Sequence, residues 1–526
     1  MTKKYQSSNR KFRTSTFGIL SGFGIRISSF FCLSFAPVLA LWTFVMSGNT
    51  SEFPVCPPDW SIELVASAPQ IKHPSVVCSA PDGRVFVAED PMDISAPRAD
   101  LTLGRIVCFH PNGKTTIFAE GLYAVFGMQY LEGKLYVLHN PKFSVFEDGG
   151  TAGTNRTELI ENTNPNPWAL DWNDHVPANF RLGMDGFFYI AVGDKGIYGA
   201  VGRDGKRVDL HGGGILRMHP DGTELEVYCT GVRNILDVAM NDEDEIFTYD
   251  NTDEIEWMSR LTHMVEGGFY GYPYDFSPRR GYTLWMMADY GGGAATGTLC
   301  NNEDALPPAY NNTLFLADFG KRQILRVGVR RDGATFRVLS REDMFSKVPD
   351  DFYPVGIAWG ADAKSIYICD WQHRDTKESN AVAGRLWKMT WRGISQPQPK
   401  PDWYLSAALG RPTNVPIAEL LTALSHQSHA VRLTAQRLLS ARSKEAREQI
   451  VQLLATAAIP AQARCHAIWA LNDTPEEIVN FSRWSSPTVQ RQAIRKLGTA
   501  RYAPARFALE EALRSDDASI RFHAAT

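Results

Sequence analysis

The stretch MDGFFYIAVGD (residues 184–194) sets the reading of this chain. A polar turn with glycine leads into an apolar and aromatic run, which then stops at Gly193-Asp194. Such a run bounded by turn residues reads as a β-strand. Five further stretches have the same shape: PDGRVFVAED (81–90), LEGKLYVLHN (131–140), DEDEIFTYDN (242–251), NNTLFLADFG (311–320) and ADAKSIYICDW (361–371). Their starts fall roughly 50 to 70 residues apart, and second strand pairs often follow, as in GRIVCFHPNGKTTIFAEG (104–121) and GGILRMHPDGTELEVYCTG (213–231). Six units of four strands close into a ring that leaves few exposed edges, so residues 58–392 are expected to form an all-β six-bladed β-propeller.

Beyond this body the period changes. Gln396-Pro397-Gln398-Pro399-Lys400-Pro401 lies in a proline-rich linker, 393–415, because alternating proline favours a stiff extended spacer. Residues 416–526 then repeat a helical line at Val431…Ala435, Ala463…Ala467, Val489…Ala493 and Ile520…Ala524. Paired helices at that spacing imply an all-α HEAT-like solenoid, with its charged residues on a solvated face. The last line ends without a polar cap, so the array reads as incomplete at its C-terminal side.

At the other end, residues 1–26 carry six basic side chains and no acid, and Ile27–Met46 is free of charge. Residues 1–47 therefore read as a signal peptide or an N-terminal membrane anchor, with the rest exported to the periplasm or cell envelope. The chain has 526 residues, 44% apolar and 21% charged, which excludes a largely disordered protein. Its net charge is −4; the first 26 residues carry +6 and residues 416–526 carry +4, which leaves −14 on 27–415. An acidic body argues against nucleic acid as a partner. Eight cysteines are compatible with disulfides in an exported chain, and no C-x-x-C-H sequence is present for attaching a c-type haem.

Candidate chemistry concentrates in the middle of the chain. His175, beside Asp174, can take a proton from a hydroxyl as hydride leaves the same carbon. Arg233 and Asn234 suit an oxygen that gains negative charge. Asp250, Asn251, Asp253 and Glu254 put four oxygen ligands within five residues, a composition plausible for Ca²⁺ but without EF-hand spacing, and one that a solvated acidic turn shows more often. Phe269, Tyr270, Tyr272, Tyr274, Tyr282 and Trp285 form an aromatic insertion whose rings either stack on a ligand or pack the propeller.

Taken in order, Asn173-Asp174-His175…Gly193-Asp194-Lys195-Gly196, Gly214-Ile215-Leu216-Arg217…Asp221-Gly222, Gly231-Val232-Arg233-Asn234 and Gly267-Gly268-Phe269-Tyr270-Gly271-Tyr272-Pro273 resemble the soluble quinoprotein glucose/sorbosone dehydrogenase family. The opening WSIELVASAP (60–69) and the HEAT-like region resemble the layout of bacterial putative membrane-bound dehydrogenases, in which a c-type haem module often follows. The resemblance implies pyrroloquinoline quinone (PQQ) and Ca²⁺ as cofactors and a sugar or polyol as substrate. It also implies a cytochrome-type acceptor, with His175 as base, Arg233 and Asn234 at the quinone, and the metal near 250–254. The family places two arginines near the start of its sixth blade, where this chain has Asp350-Asp351-Phe352-Tyr353, and Asn234 is followed by Ile-Leu-Asp where the family favours Pro and Gly. These departures keep open a non-catalytic glycan- or protein-binding scaffold. A hydrolytic propeller of the lactonase kind is the remaining alternative.

Overall fold

The computed structural model describes residues 53–90, 104–164, 174–252, 258–274, 280–372, 383–456, 458–472 and 475–526. The candidate leader at 1–47, Asn173, Asp253 and Glu254 lie outside the described residues. The described elements form six four-stranded antiparallel sheets followed by helices, all in the compact unit Ser51–Thr526. The expected six-bladed propeller is therefore what the chain forms.

Blade I comprises Pro74–Ser79, Val85–Glu89, Gly104–Phe109 and Thr115–Leu122. Blade II comprises Val125–Leu131, Lys134–His139, Lys142–Asp148 and Gly153–Ile160. Blade III is built from Pro177–Leu182, Phe188–Val192, Gly213–Met218 and Glu226–Val232, with a hairpin of Ile197–Val201 and Arg207–Leu210 inserted after its second strand. Blade IV comprises Ala239–Met240, Ile246–Asn251, Ser259–Met264 and Ala288–Asp289. Blade V comprises Ala295–Cys300, Leu314–Asp318, Gln323–Asp332 and Thr335–Asp343. Blade VI runs Pro354–Trp359, Ser365–Asp370 and Arg385–Trp391, and its fourth strand is Trp60–Ser67 from the start of the described chain. Trp60 pairs with Trp391 and Ser67 with Arg385, so the two ends of the body share one sheet and shut the ring.

The six quoted stretches supply the second strands, and their apolar residues fill the spaces between blades. Phe143, Phe180 and Phe188 are fully buried between blades II and III, with Phe143 and Phe180 ring centres 4.7 Å apart. The innermost strands approach so closely that a Cβ on Gly127 would fall 2.6 Å from the Ala178 carbonyl oxygen. Seven cysteines are described and none is paired.

Nine helices follow among the described residues: α1 (Tyr404–Ala408), α2 (Ile417–Ala423), α3 (His429–Ala441), α4 (Ser443–Ala455), α5 (Ala461–Ala470), α6 (Pro475–Ile478), α7 (Pro487–Thr499), α8 (Arg506–Ala512) and α9 (Ala518–Ala525). The four repeat lines fall in α3, α5, α7 and α9, which pack each on the next. Val431, Ala435, Ala463, Ala467, Val489, Ala493 and Ile520 are all completely buried. No described helix is long and apolar enough to cross a membrane.

The expected solvated charged face is corrected in part. Arg432 meets Asp242 at 3.1 Å, Arg437 meets Glu132 at 2.7 Å and Arg491 meets Glu243 at 2.7 Å. Glu303 accepts hydrogen bonds from the Ser428 hydroxyl (2.5 Å) and the Ala430 amide (2.8 Å) at the start of α3. The acids belong to turns joining first and second strands of blades II, IV and V. Part of the body's −14 charge is thus met by arginines of the +4 helical region. Antiparallel strands alternate direction. The helices therefore sit at one end of the propeller, and the loops after second and fourth strands converge on the other.

Candidate functional site

The loops of blade III at that second end bring His175 and three polar partners together. His175 is 7% exposed and holds φ at +59°, in the left-handed region that a residue with a Cβ seldom adopts. Its carbonyl accepts the Lys195 amide at 3.2 Å, and Gly193 donates to the Val176 carbonyl at 3.3 Å. A Cβ at Gly193 would lie 2.5 Å from the His175 carbonyl carbon, so only glycine permits this approach.

Asp194 Oδ1 lies 2.6 Å from His175 Nδ1. The contact makes Nδ1 the protonated nitrogen of the neutral ring and leaves Nε2 as the basic one. Asp174 Oδ1 accepts the His175 amide at 2.7 Å and the Asn234 side-chain amide at 3.1 Å, while its Oδ2 stands 3.4 Å from Nε2. Burial by itself lowers the proton affinity of the imidazole. The hydrogen bond to Asp194 and the charges of Asp174 and Asp194 outweigh burial and the repulsion from Arg233, so the pKa stands above 6.5. Burial pushes the Asp194 carboxyl up, but His175 and the Tyr272 hydroxyl hold it below its ordinary value. The arrangement is a carboxylate-oriented base whose protonated form has a second carboxylate beside it.

Arg233 follows the last strand of blade III, and its Nη1 donates to the Asn251 carbonyl at 2.9 Å. Asn234 is 1% exposed, and its Oδ1 is buried without a hydrogen-bond partner, as is Oδ1 of Asn251. The sequence thus named His175, Asp174, Arg233 and Asn234 as site residues, and the fold brings all four to one cluster.

The metal reading of Asp250, Asn251 and Asp253 meets a different environment. Asp250 is fully buried; Oδ2 lies 2.5 Å from Arg260 Nη2, and Oδ1 accepts the amides of Arg233 (3.2 Å) and Asn234 (2.9 Å). Asp250 faces Arg260 directly across the ladder. Two other blades repeat the pairing, with Asp370 opposite Arg385 (2.6 Å) and Glu89 opposite Arg105 (2.5 Å). Asp250 is therefore the blade IV copy of a closing ion pair. No cluster of three His, Cys, Asp or Glu side chains that could hold a metal occurs among the described residues. A calcium ion needs six to eight oxygens, and Asp250, committed to Arg260 and two backbone amides, does not fit one; Asp253 lies outside the described residues.

Asp350 and Asp351 are likewise engaged. Asp351 takes Arg385 at 2.9 Å and Gln372 at 2.5 Å, and Asp350 stands 3.7 Å from Arg322. Lys321 is held by Asp318 at 3.0 Å and by the Gly292 carbonyl at 2.5 Å.

Two residues of the cluster were not singled out for chemistry from sequence. Asp194 sits in the quoted Gly193-Asp194-Lys195-Gly196 motif, two residues past the ladder position that holds a structural acid in blades I, IV and VI. Tyr272 comes from blade IV and donates to Asp194 Oδ2 at 2.5 Å. Of the aromatic insertion, Tyr270 is buried, whereas Tyr274, Tyr282 and Trp285 are 79%, 61% and 63% exposed.

Fold and cluster together define the class: a six-bladed propeller with a buried carboxylate–histidine cluster in its third blade. Residues 50–271 match a family described as a domain of unknown function, DUF7133. A search of curated proteins found no match. Similar solved structures include a putative oxidoreductase (glucose dehydrogenase) from Thermus thermophilus, at 18% identity and TM-score 0.47 over 63% of this chain and 99% of that one. The PQQ-bound aldose sugar dehydrogenase of Streptomyces coelicolor matches at 15% identity and TM-score 0.47, over 64% of this chain and 99% of that one. The holo PQQ domain of pyranose dehydrogenase from Coprinopsis cinerea matches at 12% and 0.43, over 65% and 99%. The propeller assignment rests on the six sheets themselves.

Proposed function

We propose that this protein is a sugar or polyol dehydrogenase with a quinone-class electron acceptor. The observation that carries the reading is the 2.6 Å contact between Asp194 and His175 Nδ1, with Asp174 and Arg233 alongside, at the propeller end away from the helices. His175 Nε2 takes the proton of a substrate hydroxyl. Asp194 holds the ring in the required tautomer, and Asp174 stabilises the imidazolium that results. Arg233 polarises an oxygen placed against it.

A quinone fits this cluster where calcium does not. Arg233 offers charge to a quinone carbonyl, and the buried, unpartnered Oδ1 of Asn234, an acceptor, would take an N–H or O–H of the bound group. Arg233 and Asn234 would hold the group. When bound, a quinone such as PQQ supplies the two-electron sink for the substrate's C–H bond. The basic residues before Ile27–Met46 support an exported, envelope-associated location, and the resemblance to quinoprotein dehydrogenases supports a cytochrome-type acceptor.

The test is a titration of the purified protein with PQQ, with and without Ca²⁺, followed by the cofactor absorbance and by dye reduction with aldoses. Saturable micromolar binding that does not need Ca²⁺, with sugar-dependent dye reduction, is expected. A folded protein that leaves PQQ free and reduces no dye would overturn the reading. That outcome would favour a glycan- or protein-binding scaffold, for which one observation already speaks: Arg260, Arg385 and Lys321 are each engaged by an acid, whereas PQQ carries three carboxylates.

A further inference from the structure

Tyr272 reaches the blade III cluster along a route built for that purpose. After the third strand of blade IV the chain turns at Glu266-Gly267 and runs beside the outer strand of blade III. The Thr230 amide donates to the Gly268 carbonyl at 2.9 Å, Tyr270 to Thr230 at 3.0 Å, and Tyr272 to Gly231 at 2.9 Å. Tyr270 pins this run: it is 1% exposed, and its hydroxyl donates to the His263 carbonyl (2.8 Å) and accepts the Val265 amide (2.9 Å). Gly231 makes room, since a Cβ there would lie 2.5 Å from the Tyr270 nitrogen. The run ends with the Tyr272 hydroxyl 2.5 Å from Asp194 Oδ2, while the other oxygen of that carboxylate holds His175.

Resting on the reading of His175 as the base, we infer that Tyr272 is a positioning residue: a neighbouring blade fixes Asp194 and thereby sets how strongly His175 holds its proton. Among the described residues, the charged groups that act most on the ring are Asp194 after the second strand of blade III, Asp174 before its first strand and Arg233 after its fourth; Asp194, Arg233 and Asp250 act on Tyr272 itself. A phenol donating to a carboxylate draws off negative charge that would otherwise act on the imidazolium. Tyr272 thus keeps His175 from becoming too basic to be unprotonated near neutral pH.

The test is Tyr272→Phe in the full chain. It is read by NMR titration of the imidazole signal that His175→Ala deletes, and by the pH profile of kcat/KM. The His175 titration is expected to move to higher pH by about half a unit. Below the acid limb kcat/KM should fall about threefold, with the high-pH plateau kept. Asp194→Asn should move the same titration to lower pH. An unchanged His175 titration in Tyr272→Phe, or an equal loss of kcat/KM at every pH, would overturn the inference. Because the titration needs no substrate, it stands apart from the enzymatic reading. If the signal shifts as expected while His175→Ala retains turnover, the reading of His175 as the base falls and the Tyr272–Asp194–His175 linkage remains.

Discussion

Blades III and IV use an acid at the end of the second strand in opposite ways. In blade IV Asp250 faces Arg260 across the ladder, at 0% and 3% side-chain exposure. In blade III the equivalent ladder position pairs Val192 with Gly214, and the acid, Asp194, comes two residues later and holds His175. An acid on the ladder thus closes the sheet in blade IV, and an acid two residues beyond the ladder orients the imidazole in blade III. The difference lies in what stands on the facing strand. An arginine neutralises the acid in place, whereas in blade III Val192 and Gly214 hold that place and the acid stands past the strand end, where a loop uses it.

The comparison can be broken most severely at His175. His175→Ala should lower kcat/KM for the oxidised sugar by roughly 10²–10⁴-fold and move the melting temperature little, as dye-reduction kinetics and a thermal scan would show. Arg260→Ala should do the reverse. Leaving Asp250 buried and unpaired should cost about 3–5 kcal/mol in urea unfolding, and Arg385→Ala in blade VI should give a similar loss.

The pH dependence sharpens the contrast at a smaller scale. The folded pKa of His175 is raised. Its contribution to stability is therefore fully present below about 6.5, the ordinary value, and is lost as pH rises through the folded pKa. The base becomes active over the same interval, so kcat/KM should climb with pH while the urea midpoint declines slightly. An acid limb centred below the ordinary histidine value would contradict the carboxylate arrangement. The smallest effect expected is that of Ca²⁺: if Asp250 is a closing pair, adding Ca²⁺ or EDTA should leave the melting temperature unchanged. A rise of several degrees with Ca²⁺ would return the 250–253 segment to the metal reading.

The strands of the propeller were legible in sequence because each second strand is a local event, a turn followed by an alternating apolar run. Asp174 and His175 were legible for the same reason, being neighbours in one loop. The pairing of Asp250 was not legible because its partner Arg260 lies on the next strand, and only the register of the ladder shows that the two face each other. Tyr272 was passed over as one ring among several, since it meets Asp194 across 78 residues of chain. The arginines of α3 and α7 looked like a solvated face because helical periodicity does not reveal that propeller turns cover them. Local patterns were readable, and pairings across the ring were not.

The shared sheet of blade VI also orders events in time. Trp60–Ser67 is synthesised ahead of every other strand of the body, yet its partner, Arg385–Trp391, comes after all the rest. Until that partner exists, the first strand is a lone ribbon and the ring is an open arc. The helices α1–α9 follow immediately, so they meet a propeller that has only just been clasped. A cut between Trp60 and Ser67 would undo that clasp and leave an unpaired edge on the last blade, although no residue of the His175 cluster had been touched.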